Sequence, residues 1–99
     1  MSKLIFKVYE NVSHNAEIRK FYVDVKVAKN FTLLRGKLET IFPILQTTKY
    51  YLKWQDENRH GMLDFVRIEN DSNEELEIAI NEMNDKLNFC EFFIYSDED

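Results

Sequence analysis

Two histidines, one cysteine and a 31 % share of charged side chains hold whatever reactive chemistry this sequence has. His14 and His60 fall on polar, turn-like stretches with no cysteine or further histidine at ligand spacing, so they read as surface histidines and not as a zinc site. Cys90 sits among Phe89, Phe92 and Phe93 with no adjacent base to lower its pKa. It reads as a buried structural thiol and not as a nucleophile. The two glycines, Gly36 and Gly61, cannot make a phosphate-cradling loop. Carboxylates are plentiful, but they crowd near turns without an apolar cleft that would raise one into a general acid. Neither an enzyme nor a metal nor a cofactor is expected.

Charge placement is more informative than any single reactive group. Residues 1–53 carry ten Lys+Arg and four Asp+Glu, a balance of +6, and residues 54–99 carry three and fourteen, a balance of -11; together they give the net -5. Asymmetry of this kind bears on association more than on folding. The negative total argues against general nucleic-acid binding, which needs a basic footprint. Two clusters stand out. The basic one is Lys7 with Arg19 and Lys20; the acidic one holds Asp56, Glu57, Asp64, Glu69, Asp71, Glu74 and Glu75. Strand-edge charge that discourages aggregation would account for the first equally well. Acids complementing a helix dipole would account for Glu74 and Glu75, but not for Asp56, Glu57 and Asp64.

The elements that must position these clusters follow from hydrophobic periodicity. Over residues 3–9, Leu4, Phe6 and Val8 alternate with Lys3, Lys7 and Tyr9, which predicts a half-buried strand. A polar turn over 10–16 leads to a second strand over 17–25, so an antiparallel hairpin would set Lys7 beside Arg19 and Lys20. A helix capped by Asn30 or Thr32 runs to Phe42, carrying Leu34, Leu38 and Ile41 at helical spacing, and Pro43 ends it. Strands are expected over 50–54 and 62–68, joined by a polar turn over 55–61. Ser72-Asn73-Glu74-Glu75 fits a capping box opening a helix with Leu76, Ala79, Ile80 and Met83 on its apolar stripe. Residues 89–95 are apolar on both faces, which predicts a central strand, and 96–99 form an acidic tail.

The predicted order ββαββαβ is that of an α+β, ubiquitin-like β-grasp roll, one domain over residues 3–95. A chain of this length can bury about two thirds of its unfolded surface, enough for a core without disulfides. Its apolar runs fall far short of the roughly 18 residues a membrane-spanning helix needs. Met1-Ser2-Lys3-Leu4 lacks the apolar stretch of a signal peptide, so a reducing, cytoplasmic setting is expected, with no membrane partner.

Several segments resemble one family. Trp54-Gln55-Asp56-Glu57, Asp64-Phe65-Val66-Arg67-Ile68, Asp71 and Glu74-Glu75-Leu76 resemble the acidic motif of the Phox-and-Bem-one (PB-one) domain, and Lys7 resembles its first-strand lysine. Phe6-Lys7-Val8-Tyr9, Glu17-Ile18-Arg19-Lys20-Phe21 and Ile41-Phe42-Pro43 are similar to the domain in sequestosome-type autophagy receptors. The resemblance implies a protein-interaction module that joins copies of itself head-to-tail, basic face to acidic face, as the oligomerisation domain of an autophagy scaffold. It equally allows heterodimerisation with another PB-one domain, such as that of a kinase. A ubiquitin-like or Ras-association domain binding a GTPase is the alternative from outside the family, and it leaves the acidic cluster without a role. The sequence departs from the family in having Asn58-Arg59-His60-Gly61 where further acids are usual, and in a longer connection from Ile68 to Glu74. Arg59 there would reduce the local negative potential.

Opposite charges on two faces of one molecule make a contact that propagates into a filament or closes into a ring. Single surface ion pairs contribute about 0.2–1 kcal/mol, whereas micromolar affinity takes about 8 kcal/mol. Several pairs must therefore act together, with apolar burial beside them.

Overall fold

The computed structural model describes residues 2–57 and 60–97. Among these, alternating apolar side chains build five strands: β1 (Lys3–Glu10), β2 (Glu17–Asp24), β3 (Tyr50–Glu57), β4 (Leu63–Ile68) and β5 (Cys90–Ser96). They form one sheet in the order β2-β1-β5-β3-β4, with β1 and β5 parallel and the other pairs antiparallel. β5 lies at the centre, as its two-sided apolar character requires. The architecture is the expected β-grasp.

One face of the sheet is the core. Phe6, Val8, Leu52, Cys90, Phe92 and Ile94 point to it, and the helices α2 (Phe31–Ile41) and α3 (Asn73–Leu87) close over it through Leu34, Leu38, Leu76, Ala79, Ile80 and Met83. Burying each of the larger side chains stabilises the fold by about 1.5–3 kcal/mol. The two helices meet at their starts, where the Phe31 amide donates to Asn73 Oδ1 at 2.7 Å. Among the described residues no helix is long and apolar enough to cross a membrane.

Among the described residues the other face carries no helix and is closed by its own rings and cations. Tyr9 stacks on Phe93 at 4.5 Å, Phe65 meets Phe93 edge-on at 5.1 Å, and Tyr51 stacks on Tyr95 at 5.9 Å. Lys53 lies over Tyr51 and Tyr95, and Arg67 lies 4.2 Å over Tyr51 while pairing with Asp97 at 3.0 Å. Such contacts contribute about 0.5–1 kcal/mol each at exposed sites.

Five local features differ from the sequence expectation. β2 stops at Asp24, because the Asp24 carboxylate accepts from the Lys26 amide at 2.9 Å and caps a short helix, α1 (Val25–Ala28). Beyond α2, Pro43 opens a 3-10 turn to Gln46 that buries Leu45. β3 continues to Glu57, so Asp56 and Glu57 are strand residues and not part of a turn. The capping box is half made: Ser72 Oγ accepts from the Glu75 amide at 3.2 Å, but Glu75 Oε1 reaches the Glu69 amide instead of that of Ser72. At the far end of the chain Ser96 still belongs to β5, and Glu98 and Asp99 lie outside the described residues.

The turn between β1 and β2 has its own organiser. Glu10 is 2 % exposed, and its carboxylate accepts from the Val12 and Ser13 amides at 2.6 and 2.7 Å and from Ser13 Oγ at 2.7 Å. A buried carboxylate is tolerable when it is fully hydrogen-bonded in this way. It fixes the hairpin on which the basic cluster stands.

Candidate functional site

The β1–β2 ladder sets Lys7 directly opposite Lys20 on the helix-free face, with Ile5 opposite Tyr22 and Tyr9 opposite Ile18. Facing side chains in such a ladder have Cβ atoms about 5 Å apart, so two ammonium groups share one small area. Arg19 faces Val8 instead, on the other side of the sheet, where its guanidinium is 3.3 Å from Glu17. The hairpin therefore brings the two lysines together and carries the arginine around the edge.

Lys7 is not alone with Lys20. On its other side Glu91 of β5 stands in register with it. The Glu91 carboxylate accepts from the Tyr9 hydroxyl at 2.8 Å, and Lys7 Nζ lies 5.1 Å from the Tyr9 ring centre. The Tyr9 side chain is the main cause that raises the Lys7 pKa; desolvation opposes it, and the nearby Glu91 carboxylate adds a weaker push in the same direction as Tyr9. The ammonium stays charged and is held over the ring.

At the opposite edge, the β3–β4 ladder sets Asp56 directly opposite Asp64. These two share the helix-covered side with Trp54 and Val66; Glu57 and its partner Leu63 have the other parity, but at the strand ends both reach the cleft against α3. α3 contributes a second acidic row. Glu75 and Ile78 line a small recess with Trp54 and Val66, and Glu82 lines a cleft of about 330 Å³ with Trp54, Asp56, Leu63, Met83 and Leu87. Glu82 was missed in the sequence, although Glu75, Ile78 and Glu82 recur at i, i+3 and i+7 and so share a helix face. Glu74 lies about 100° further round the helix. Asp71, with φ 66°, places its carboxylate 3.6 Å from Arg35 and is tied to α2. Arg35 also approaches Glu39, which accepts from the Tyr50 hydroxyl at 2.8 Å. Burial first, and then that bond, push the Tyr50 pKa up. Asn58 and Arg59 lie outside the described residues.

The sheet order separates the two like-charge pairs by three strand spacings, about 14 Å. Cys90 is buried, and burial pushes its thiol pKa up to about 11, so it is not an activated nucleophile. Among the described residues no group of three or more His, Cys, Asp or Glu could hold a metal ion.

No protein-family model and no curated protein matches this sequence. Solved structures do match in shape. The AtNBR1-PB1 domain shares 20 % identity at a TM-score of 0.58, over 97 % of this chain and 99 % of that one. A cryo-EM structure of an AtNBR1-PB1 filament (L-type) shares 23 % at 0.57, over 98 % of both chains. The solution structure of the PB1 domain of Cdc24p (long form) shares 19 % at 0.51, over 95 % of both. Over nearly its whole length this chain has the fold of the PB1, or Phox-and-Bem-one, domains.

Proposed function

We propose that the chain is a PB1-type interaction module that associates head-to-tail with copies of itself. Lys7 and Lys20, flanked by Arg19, form the basic face; Asp56 and Asp64, extended along α3 by Glu75 and Glu82, form the acidic face. Glu57, Asp71 and Glu74 stand at its margin. The observation that carries this reading is the pair of like-charge couples, Lys7 opposite Lys20 and Asp56 opposite Asp64, at opposite edges of one sheet. Like charges in direct register repel, and a face of the opposite sign on a second copy would attract both members of each couple at once. One structure of this fold is a filament, which supports self-association. In this reading the chain is a binding module and not an enzyme. It serves as the oligomerisation domain of a cytoplasmic, autophagy-receptor-like scaffold, where multivalent display raises avidity.

Complementary variants test the polarity. One copy loses its basic face (Lys7→Ala, Arg19→Ala, Lys20→Ala) and another its acidic face (Asp56→Ala, Asp64→Ala, Glu75→Ala). Each alone should remain monomeric by light scattering, and the mixture should form a 1:1 dimer that does not grow. A parent whose mass stays monomeric at high concentration and low salt would remove self-association and leave a different PB1 domain, such as that of a kinase, as the partner.

A further inference from the structure

The acidic edge is not only acidic. Beside Asp56, Glu57 and Glu82, which outnumber its one cation, Lys86, the cleft is lined by Trp54, Leu63, Met83 and Leu87, and Leu63 and Leu87 are 60 % and 49 % exposed. The basic edge has an apolar feature of its own: Ile18, adjacent to Arg19 in the chain, stands free of the core at 58 % exposure. Ile18 is on the same face as Lys20, two residues and about 7 Å along β2. Leu63 is adjacent to Asp64 on β4. Each edge thus carries its charge and its apolar surface within a residue or two of each other.

From this pairing we infer that Ile18 of one copy enters the Trp54–Leu63–Leu87 cleft of the next, so that the head-to-tail contact has an apolar plug among its ion pairs. The inference rests on the head-to-tail reading and names what fills the cleft. Charge complementarity selects a second copy as occupant. With Lys20 drawn to Asp56 and Asp64, Ile18, on the same side of β2, comes over the cleft. Tyr22, the other exposed apolar residue flanking Lys20, has Asp24 two residues beyond it on the same face, a charge that the acidic edge repels.

The two face-blocked copies described above isolate a single contact, in which the cleft belongs to the copy lacking its basic face and Ile18 to the copy lacking its acidic face. Titration calorimetry then gives the Kd of one interface. Ile18→Ser on one side, or Leu63→Ser on the other, should each raise that Kd about tenfold, the effect of losing one buried aliphatic side chain. Both together should do little more than either alone, because they remove the same contact. Ile18→Leu should bind nearly as the parent does, and the fold-change from Ile18→Ser should be the same at 0.1 and 1 M salt, since screening does not act on apolar burial. An unchanged Kd for Ile18→Ser and Leu63→Ser, additive losses, or a loss produced by Tyr22→Ser and not by Ile18→Ser would overturn the plug while leaving head-to-tail association intact. Absence of any binding between the blocked copies at low salt would overturn both.

Discussion

Glu91 stands in register with Lys7 on the neighbouring strand, yet its carboxylate is committed to the Tyr9 hydroxyl at 2.8 Å. The molecule thus keeps a negative charge of its own beside its basic face. That charge anchors the Tyr9 hydroxyl whose ring lies under Lys7, and it also competes with any acidic partner for the same ammonium.

Removing the internal competitor should tighten association. Glu91→Gln retains an oxygen for Tyr9 and deletes the charge, so we expect self-association to strengthen about two- to fivefold at low salt, the size of one exposed ion-pair effect. Sedimentation equilibrium at several salt concentrations measures it. Weaker association would mean that Glu91 serves mainly to position Lys7.

Stability and assembly should respond in opposite directions at the charged couples. Asp56→Asn relieves like-charge repulsion across the β3–β4 ladder and should leave thermal stability equal or raise it by about 0.2–1 kcal/mol. The same change should weaken assembly. Lys7→Ala should abolish large assemblies at a cost to the fold of about 0.5 kcal/mol or less, since its main internal contact is with the Tyr9 ring. Thermal melts beside light scattering read both quantities.

Gly36 offers a control away from both edges. It lies exposed in the middle of α2, and a Cβ added there would meet nothing within 4 Å. Gly36→Ala should stabilise the fold by about 0.5–1 kcal/mol, raising Tm by about 2–8 °C, without changing association.

Cys90 predicts behaviour in alkali. Its pKa is raised by burial from 9.0 to about 11, so the unfolded chain releases the thiol proton first and the native state binds more protons over that interval. Stability should therefore fall as pH rises from about 9 to about 11. Cys90→Ala, compared with the parent in denaturant titrations across that range, should show a shallower decline. Equal slopes would mean that the thiol titrates alike in both states.

Much of this arrangement could be read from the chain. The central position of β5 follows from apolar residues on both of its faces, and the starts of α2 and α3 follow from Asn30 and Ser72, whose side chains accept from Leu33 and Glu75. Pairing the first two strands was enough to place Lys7 beside Lys20. Arg19 was separated from Lys20 by nothing more than strand alternation, since it shares parity with Phe21 and Val23, which turn towards the core. Other features were hidden because local composition gave the wrong cue. Val25-Lys26-Val27 has strand character, and only the Asp24 side chain turns it into a helix. Gln55, Asp56 and Glu57 are polar enough to resemble a turn, and only their ladder with Leu63, Asp64 and Phe65 keeps them extended. The cleft beside Glu82 was illegible, because it depends on how far α3 stands from the end of β3.

The alternation of β3 and β4 also sorts charge by parity. Lys53 and Arg67, the described cations of these two strands, occupy one parity and lie over Tyr51 on the helix-free face, while Asp56 and Asp64 occupy the other. The sheet is a partition about one side chain thick between charges that would otherwise neutralise each other. A one-residue slip of either strand would invert that assignment, bringing a cation round to the acidic side and sending an aspartate to the aromatic side. The sign of this edge is therefore encoded in the phase of the strands as much as in their composition. An insertion or deletion of a single uncharged residue between Lys53 and Asp56 would put the two on one face without altering the protein's net charge.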